Sequence, residues 1–151
     1  MKWQAVLVGA LGALVSVFVT LCQADAASAA VRIVNDRGGE VAAYVRKYQA
    51  MRTAGEHIVI DGPCLSSCTL FTGIVPRDHV CVTSRAVLGF HAASYYDDAA
   101  RALVPTAAGT RVVMRLYPQD IRAWINRHGG LSAQLIMMSG QDLAALYPSC
   151  R

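Results

Sequence analysis

A strand, a sharp turn and a helix start follow one another over residues 57–74, and this succession most constrains the fold. The apolar run His57–Asp61 is typical of a buried β-strand, and it breaks at Gly62-Pro63. The small residues of Cys64–Thr69 come next and predict a helix that begins near Ser66. Strands that alternate with helices are typical of α/β proteins with a mainly parallel sheet flanked by helices. We expect that class here.

Ser66 is the candidate nucleophile of this segment. The first N–H groups of a helix lack intrahelical acceptors, and the positive end of the helix dipole favours negative charge. A serine at such a position suits acyl transfer, because the same N–H groups stabilise the oxyanion that its attack creates. The alternative is structural, since serine is also a common N-terminal cap. The residues alone leave both interpretations open.

His91 is the candidate general base. It ends the apolar run Ala86–Phe90, which predicts a further strand. About 25 residues separate it from Ser66, enough for a helix and a returning parallel strand. The carboxyl ends of neighbouring parallel strands meet at one edge of a sheet, where ligands usually bind. We therefore expect Ser66 and His91 to meet. The alternative is a structural histidine at a strand end.

The same order of strand, glycine turn and helix occurs upstream, in residues 31–51. The turn holds Gly38-Gly39, and the helix is predicted over Val41–Met51. Adjacent glycines let backbone N–H groups approach a substrate carbonyl, because no Cβ is in the way. The N–H groups of Gly39 and Ser67 are therefore candidates for an oxyanion hole, although two glycines also suit a plain turn.

Three motifs carry a family resemblance: Asn35-Asp36-Arg37-Gly38-Gly39-Glu40-Val41, Gly62-x-x-x-Ser66 and Phe90-His91. They stand in the order of the Asn-Ser-Pro-Gly-Gly, Gly-x-x-x-Ser and apolar-His motifs of the Clp protease proteolytic subunit. The chain resembles the Clp protease and crotonase-like superfamily, in particular small secreted Clp-protease-like proteins of bacteria, from about Val31 to Ala93. The resemblance implies a reduced domain of that fold, with Ser66 as nucleophile, His91 as base, and Gly39 and Ser67 as oxyanion hole.

The chain also departs from the family pattern. The family completes its triad with an aspartate well downstream of the histidine, and the only carboxylate in the comparable region is Asp142. Asp97, Asp98 or a backbone carbonyl are the other candidates for orienting His91. The family's strand and helix before the first motif are missing. An inactive member that keeps the cleft is therefore a second interpretation.

Residues 1–26 are predicted to be a secretory signal peptide, and residues 27–151 a single domain. A basic start precedes an uncharged run from Ala5 to Leu21, and Ala24-Asp25-Ala26 is a small-x-small cleavage site. A retained membrane anchor is the alternative, since about 17 apolar residues just span a bilayer. The prediction places the protein in the periplasm or outside the cell, with the membrane as partner only through an uncleaved leader.

Four cysteines follow the leader: Cys64, Cys68, Cys81 and Cys150. An even number in an oxidising compartment favours two disulfides, for which three connectivities exist. We expect Cys64 to pair with Cys81 and Cys68 with Cys150, because Cys81 begins a strand and the terminal Cys150 needs a partner. Zinc binding is the competing interpretation, but Cys-x3-Cys without a second close pair is poor zinc spacing. A nucleophilic Cys68 is a third.

The last third of the chain is predicted to be mainly helical. Residues 92–109 lack alternation and predict a surface excursion beside the site. Two helices are expected between Thr110 and Arg127, separated at Pro118. Short helices are expected over Ser132–Met138 and Ser139–Tyr147. Trp124 is predicted to belong to the core, since tryptophan is usually well buried.

The net charge of +4 is spread along the chain without a Lys/Arg run, so nucleic-acid binding has no support. The sequence thus predicts an exported serine hydrolase that acts on peptide bonds or esters, without a cofactor or a metal. The alternatives are an inactive scaffold that binds a peptide or envelope partner, and a subunit completed by another copy in a homo-oligomer.

Overall fold

The structure is a computed structural model, and it describes residues 30–151. The predicted signal peptide lies outside the described residues. The strands are β1 (Val31–Ile33), β2 (Ile58–Ile60), β3 (Pro63–Leu65), β4 (Val80–Val82), β5 (Val87–Phe90), β6 (Ser94–Asp97), β7 (Ala102–Pro105) and β8 (Ile136–Ser139). The α-helices are α1 (Val41–Thr53), α2 (Phe71–Ile74), α3 (Ala107–Leu116), α4 (Gln119–Arg127) and α5 (Gly140–Ala144). Two 3-10 helices are Ser66–Leu70 and Arg77–His79. Within this part of the chain, no helix has the length and apolarity needed to cross a bilayer.

A first sheet is parallel, with strand order β1-β2-β4. Ile58 of the central strand pairs with Val31 on one side and Val80 on the other. Ile58 and Ile60 are fully buried, and such β-branched side chains favour strands because they pack well on a pleated surface. The predicted parallel arrangement is confirmed for this sheet.

A second sheet is mixed, with strand order β3-β5-β8. Strands β3 and β5 run parallel, and Leu65 of β3 pairs with Gly89 of β5. Strand β8 runs antiparallel to β5, with Ile136 opposite Phe90. The protein is therefore a mixed α/β protein with small sheets, and the prediction of a mainly parallel sheet holds only in part.

The chain alternates between these two sheets. After β1 it reaches Asp36, which forms a parallel bridge with Cys64 of β3; after β2 it enters β3, and after β4 it enters β5. Gly62 permits the crossing from β2 to β3, because a Cβ at that position would lie 2.0 Å from the Val34 carbonyl oxygen. Three successive segments thus each contribute one extended stretch to each sheet.

Helices and aromatic side chains close the core. Helix α1 begins where the sequence predicts it, and helices α3 and α4 are separated at Pro118 as expected. Trp124 is 5% exposed, so its predicted core position is confirmed. The Phe90 ring packs edge-on against Tyr117 at 5.4 Å between ring centroids, which is a favourable aromatic geometry.

Two predictions for the last third of the chain are wrong in detail. The expected surface excursion is a β-hairpin, in which β6 and β7 pair antiparallel and Tyr96 faces Leu103 across the strands. A helix was expected over Ser132–Met138, but residues 136–138 belong to strand β8. Met138 pairs with Leu88 of β5 and is fully buried there. The last predicted helix is present as the short helix α5.

The four cysteines among residues 30–151 form two disulfides, but the predicted pairing is wrong. Cys64 is bonded to Cys68, and Cys81 is bonded to Cys150. Cys64 belongs to β3 in the second sheet and Cys81 to β4 in the first, so the two are not neighbours. The bonded sulfurs are not available as zinc ligands or as a free nucleophile. Two disulfides suit a protein of an oxidising compartment.

The Cys81–Cys150 disulfide attaches the end of the chain to the first sheet. Ser149 forms a parallel bridge with Val82, and the Cys150 N–H donates to the Val82 carbonyl at 3.0 Å. Strand β4 would otherwise present an unpaired edge, which is a site for unwanted pairing with other chains. The C-terminal segment therefore covers that edge.

Asp61 is the buried carboxylate at the crossing between the sheets. Its side chain accepts hydrogen bonds from Arg85 Nε at 3.1 Å and from Thr83 Oγ1 at 2.7 Å, and it also pairs with Arg32. These partners, the Arg85 guanidinium above all, hold the pKa of the Asp61 carboxyl well below its usual range. The ionised carboxylate thus joins three segments of the first sheet.

Replacement of Asp61 by asparagine is expected to lower thermal stability at neutral pH and to have little effect in strong acid. A lowered pKa contributes stability that is full above the unfolded value of about 3.9 and is lost as the pH falls through the folded value. The gap between the melting temperatures of wild type and D61N should therefore narrow from pH 5 downward.

The matched control for D61N is D98N, which changes an exposed carboxylate without an ion-pair partner among residues 30–151. Its melting curve is expected to follow that of the wild type at each pH. A gap for D61N that stays constant down to pH 2 would contradict the role of the carboxylate charge.

Candidate active site

Ser66 lies immediately after the carboxyl end of β3, at the sharp turn that the sequence predicts. Its φ is 58°, in the left-handed region that residues with a Cβ seldom adopt. The helix that begins at Ser66 is a five-residue 3-10 helix rather than a regular α-helix. The helix dipole that we expected to favour a nucleophile there is correspondingly small, since it grows with aligned helical peptides. The turn itself, however, presents Ser66 at the strand end.

His91 lies immediately after the carboxyl end of β5, the parallel neighbour of β3. Adjacent strands are about 4.8 Å apart. Because Leu65 pairs with Gly89, the register brings Ser66 opposite Phe90, next to His91. Both side chains are half-buried, and they line the same two clefts. The structure thus brings together the two residues that the sequence predicts to meet.

Ser66 and His91 lie at the junction of these clefts. We call the first the apolar cleft, of about 550 Å³; besides Ser66 and His91 it is lined by Val34, Asn35, Arg37, Pro63, Leu65 and Leu135. We call the second the hairpin cleft, of about 590 Å³; besides Ser66 and His91 it is lined by Arg37, Gly38, Gly39, Glu40, Ser94, Tyr96 and Leu103. An extended molecule that occupied both clefts would pass over the serine.

The His91 ring is oriented by the backbone. Nδ1 lies 2.7 Å from the carbonyl oxygen of Ala92, and a carbonyl only accepts hydrogen bonds. Nδ1 of the neutral ring therefore carries the proton, and Nε2 has the lone pair that a general base needs. No hydrogen bond joins His91 to Ser66 within the described part of the chain. Such bonds often form only when substrate is bound.

Among residues 30–151, none of the three carboxylates considered for the third triad position, Asp97, Asp98 and Asp142, has a hydrogen bond or ion pair to His91. Asp142 Oδ2 accepts a hydrogen bond from the Trp124 indole at 3.0 Å. Asp97 Oδ1 accepts the Ala100 N–H at the tip of the hairpin. The Ala92 carbonyl takes this position instead, which was one of the alternatives that the sequence left open.

One of the two predicted oxyanion donors, the Gly39 N–H, already has an acceptor. The Gly39 N–H already donates to Ser67 Oγ at 2.7 Å, and the Ser67 hydroxyl donates to the Gly39 carbonyl at 2.8 Å. The Gly39 N–H is therefore not free in this structure, contrary to its predicted role. The Ser67 N–H belongs to the first turn of the 3-10 helix, where N–H groups lack intrahelical acceptors.

Asp36 organises the glycine turn, a role that the sequence did not indicate. Its Oδ1 accepts the Gly38 N–H at 2.8 Å and the Tyr44 hydroxyl at 2.5 Å, and Lys47 lies 3.7 Å from Oδ2. Burial and the hydrogen bond to Asp36 raise the pKa of Tyr44 to about 12. The turn is thereby attached to the first two turns of helix α1.

Two buried tyrosines hold the residues after Ser66. Tyr48 donates its hydroxyl proton to the Cys68 carbonyl at 2.7 Å, and burial raises its pKa far above the usual value. Thr69 Oγ1 donates to the Ser66 carbonyl, so the hydrogen bond between Thr69 and Tyr117 has the tyrosine as donor. Burial raises the pKa of Tyr117 to about 12. The serine turn therefore rests on hydroxyl donors that stay protonated at neutral pH.

Gly38 is the position where the two motifs touch. Its φ is 79°, and a Cβ there would lie 2.6 Å from the Leu65 carbonyl oxygen and 2.8 Å from Ser66 Cβ. We expect Gly38→Ala to lower the free energy of unfolding by about 2–4 kcal/mol, because an unfavourable φ and a steric clash add together. Urea denaturation followed by circular dichroism measures this loss.

Gly130→Ala is the matched control for Gly38→Ala. Gly130 has nearly the same φ, 78°, but a Cβ on it would meet nothing within 4 Å. Its alanine variant is expected to lose only about 1 kcal/mol, from the backbone conformation alone. Equal losses for the two variants would show that the contact between the glycine turn and the serine turn has no energetic weight.

Sequence reasoning missed Arg37 and the hairpin residue Leu103 as cleft residues, whereas Tyr96 was a candidate cleft residue. Tyr96 and Leu103 are more than half exposed and line the hairpin cleft, while Arg37 lines both clefts. Arg37 stands within the first motif and was identifiable there as a departure from the family's proline. Leu103 had no comparable signal, because its pairing partner Tyr96 lies across a turn that the sequence pattern does not mark.

Comparison with protein families finds no family model that matches the chain, and comparison with curated proteins finds no match. The fold and the site define a mixed α/β protein with two disulfides, whose candidate site lies at the ends of two parallel strands. Within residues 30–151, no group of three or more His, Cys, Asp or Glu side chains is arranged to hold a metal ion.

Proposed function

We propose that this protein is a serine hydrolase that acts on peptide bonds or esters, with Ser66 as nucleophile and His91 as general base. One observation carries the proposal: the two side chains follow neighbouring parallel strands and line the same clefts. The left-handed φ of Ser66 supports it, because such a conformation at a residue with a Cβ is unfavourable and concentrates at functional sites.

The mechanism follows from the protonation of the two side chains. Ser66 Oγ attacks the substrate carbonyl carbon, and His91 Nε2 takes the hydroxyl proton as the bond forms. In this mechanism the Ser67 N–H donates a hydrogen bond to the oxyanion. His91 then returns the proton to the leaving group, and the acyl group stays on Ser66. Water, activated by His91, releases the acid and restores the serine.

The Gly39 N–H joins this mechanism only if Ser67 Oγ releases it. Ser67 is 4% exposed and both of its hydroxyl hydrogen bonds go to Gly39. A second oxyanion donor therefore requires a small shift of the glycine turn when substrate binds. One donor of this kind contributes roughly 10²–10³ in rate, so its absence would leave a slow enzyme.

The fold is compatible with the resemblance to the Clp protease and crotonase-like superfamily, and we propose membership of it. Three consecutive segments that each cross from one sheet to the other support this assignment, as does the order of the three motifs along them. The hairpin β6–β7 occupies the region of the family's helical arm, so the large ring assembly of that family is not expected here.

A fluorophosphonate probe on the purified, oxidised protein tests the hydrolase proposal. Labelling is expected at Ser66, identified by mass spectrometry, and it should disappear in Ser66→Ala. Ser84→Ala, which changes a serine outside both clefts, is the control and should label like the wild type. Absence of labelling in the monomer and in any assembled form would exclude the proposed nucleophile.

A non-catalytic scaffold that binds a peptide or envelope partner in the same clefts is the second candidate function. The backbone orientation of His91 and the occupied Gly39 N–H favour it, because both reduce catalytic power. Under this alternative the probe fails to label, while a partner peptide protects the cleft residues from hydrogen exchange. The two candidates thus differ in the outcome of one experiment.

A further inference from the structure

We propose that the Cys64–Cys68 disulfide positions the Ser66 nucleophile, a role that rests on the proposed hydrolase function. The bond joins the middle of β3 to the middle of the 3-10 helix, and Ser66 is the central residue of the five that it spans. Covalent closure of such a small ring acts on the conformation of the residues inside it.

The ring bends the chain back at Ser66. Four residues of extended strand span about 13 Å, whereas the Cα atoms of Cys64 and Cys68 are 5.3 Å apart. The chain therefore reverses within the ring, and Ser66 occupies the apex with its left-handed φ. Among residues 30–151 only one other residue besides glycine has a positive φ, Arg101 at the hairpin turn.

Other contacts hold the two sides of the ring separately. Upstream, Cys64 bridges Asp36 and pairs with Leu88 of β5. Downstream, the Cys68 carbonyl accepts the Tyr48 hydroxyl, and Ser67 binds Gly39. These contacts reach the flanks through other segments of the chain, whereas the disulfide is the direct covalent cross-link between the two flanks of Ser66. Its loss would let the apex relax toward a more common backbone conformation.

The ring is small, so the bond contributes less to the free energy of unfolding than the long-range Cys81–Cys150 disulfide. The two disulfides should therefore affect different properties of the protein. Removal of the Cys64–Cys68 bond should mainly lower the reactivity of Ser66. Removal of the Cys81–Cys150 bond should mainly lower the free energy of unfolding.

The experiment compares C64A/C68A with C81A/C150A at a temperature where circular dichroism shows both to be folded. Each variant loses one disulfide and two sulfur atoms. Labelling by a fluorophosphonate is measured over a range of probe concentrations, which separates the maximal inactivation rate from the apparent affinity. For C64A/C68A we expect at least a tenfold lower maximal rate with the affinity within twofold of wild type; for C81A/C150A we expect wild-type labelling.

Each outcome bears on the proposal. A folded C64A/C68A that labels within twofold of wild type overturns it and leaves the hydrolase function intact. If C64A/C68A and C64S/C68S both fail to fold, the bond is a requirement for folding and the positioning role is also overturned. A wild-type protein that does not label contradicts the hydrolase function, and this inference fails with it.

Discussion

The His91→Ala variant is expected to hydrolyse an activated ester about 10²–10³ times more slowly than the wild type. A positioned general base contributes typically 10²–10⁴ in rate, because it removes the serine proton as the new bond forms. We expect the lower part of this range, since His91 is oriented by a carbonyl oxygen rather than by a carboxylate. A carboxylate would also stabilise the imidazolium that forms during attack.

The loss in His91→Ala should appear in kcat rather than in KM. The imidazole acts on the proton of the serine and makes no predicted contact with the bound substrate before attack, so its removal affects only the transition state. Steady-state hydrolysis of a small aryl ester, with the uncatalysed rate subtracted, measures both constants.

His57→Ala is the matched control for His91→Ala. His57 is an exposed histidine that stacks on His79 at 4.5 Å between ring centroids, and it lines neither cleft. Its variant is expected to keep the wild-type kcat. A His91→Ala variant with undiminished hydrolysis would mean that another group removes the proton, and the proposed pair would have to be abandoned.

Removal of the Cys81–Cys150 disulfide is expected to lower the free energy of unfolding by about 4 kcal/mol. The bond joins residues 69 positions apart, and the chain entropy that such a loop removes from the unfolded state corresponds to about this value. Domains of this size are stable by only about 5–15 kcal/mol, so the loss is a large share of the total. Urea denaturation of C81A/C150A under two-state conditions measures it.

The C64A/C68A variant is the control for this stability effect. Its sulfur atoms are four positions apart, for which the same relation predicts about 2 kcal/mol. The bond to Cys150 also keeps the C-terminal segment on the edge of β4, so C81A/C150A should show faster hydrogen exchange than the wild type at the backbone amides of positions 82 and 150. A smaller loss for C81A/C150A than for C64A/C68A would contradict the loop-length argument.

Local patterns predicted the elements whose conformation depends on near neighbours. The helix after Gly38-Gly39, the separation of two helices at Pro118 and the burial of Trp124 were all predicted correctly. In each case the decisive property is local: a proline that cannot continue a helix, or an aromatic side chain that avoids water. The proximity of Ser66 and His91 followed from the same information, because parallel strands joined by a crossover end at one edge.

Elements that depend on distant partners were predicted less well. The apolar run at residues 135–138 suits a strand or a helix, and its antiparallel pairing with β5 decides for the strand. The hairpin β6–β7 lacks the usual alternation, and its turn is closed by Asp97 and by the positive φ of Arg101. The hydrogen bonds of the site likewise depend on the tertiary structure. The His91 ring bonds to the carbonyl oxygen of Ala92, and the Gly39 N–H donates to Ser67 Oγ.

The disulfides illustrate the difference most clearly. The even number of cysteines, together with the expected oxidising compartment, correctly predicted two disulfides. The pairing of the cysteines was assigned wrongly. The prediction assigned Cys81 to Cys64 because Cys81 begins a strand, whereas the reversal of the chain at Ser66 brings Cys68 to Cys64 instead. The sequence by itself determined the strands β1, β2 and β5, the helix α1 and the two candidate catalytic positions, because these depend on local preference and strand order. Only the tertiary structure decided which groups bond to each other, because pairing requires that distant atoms meet within a few ångströms.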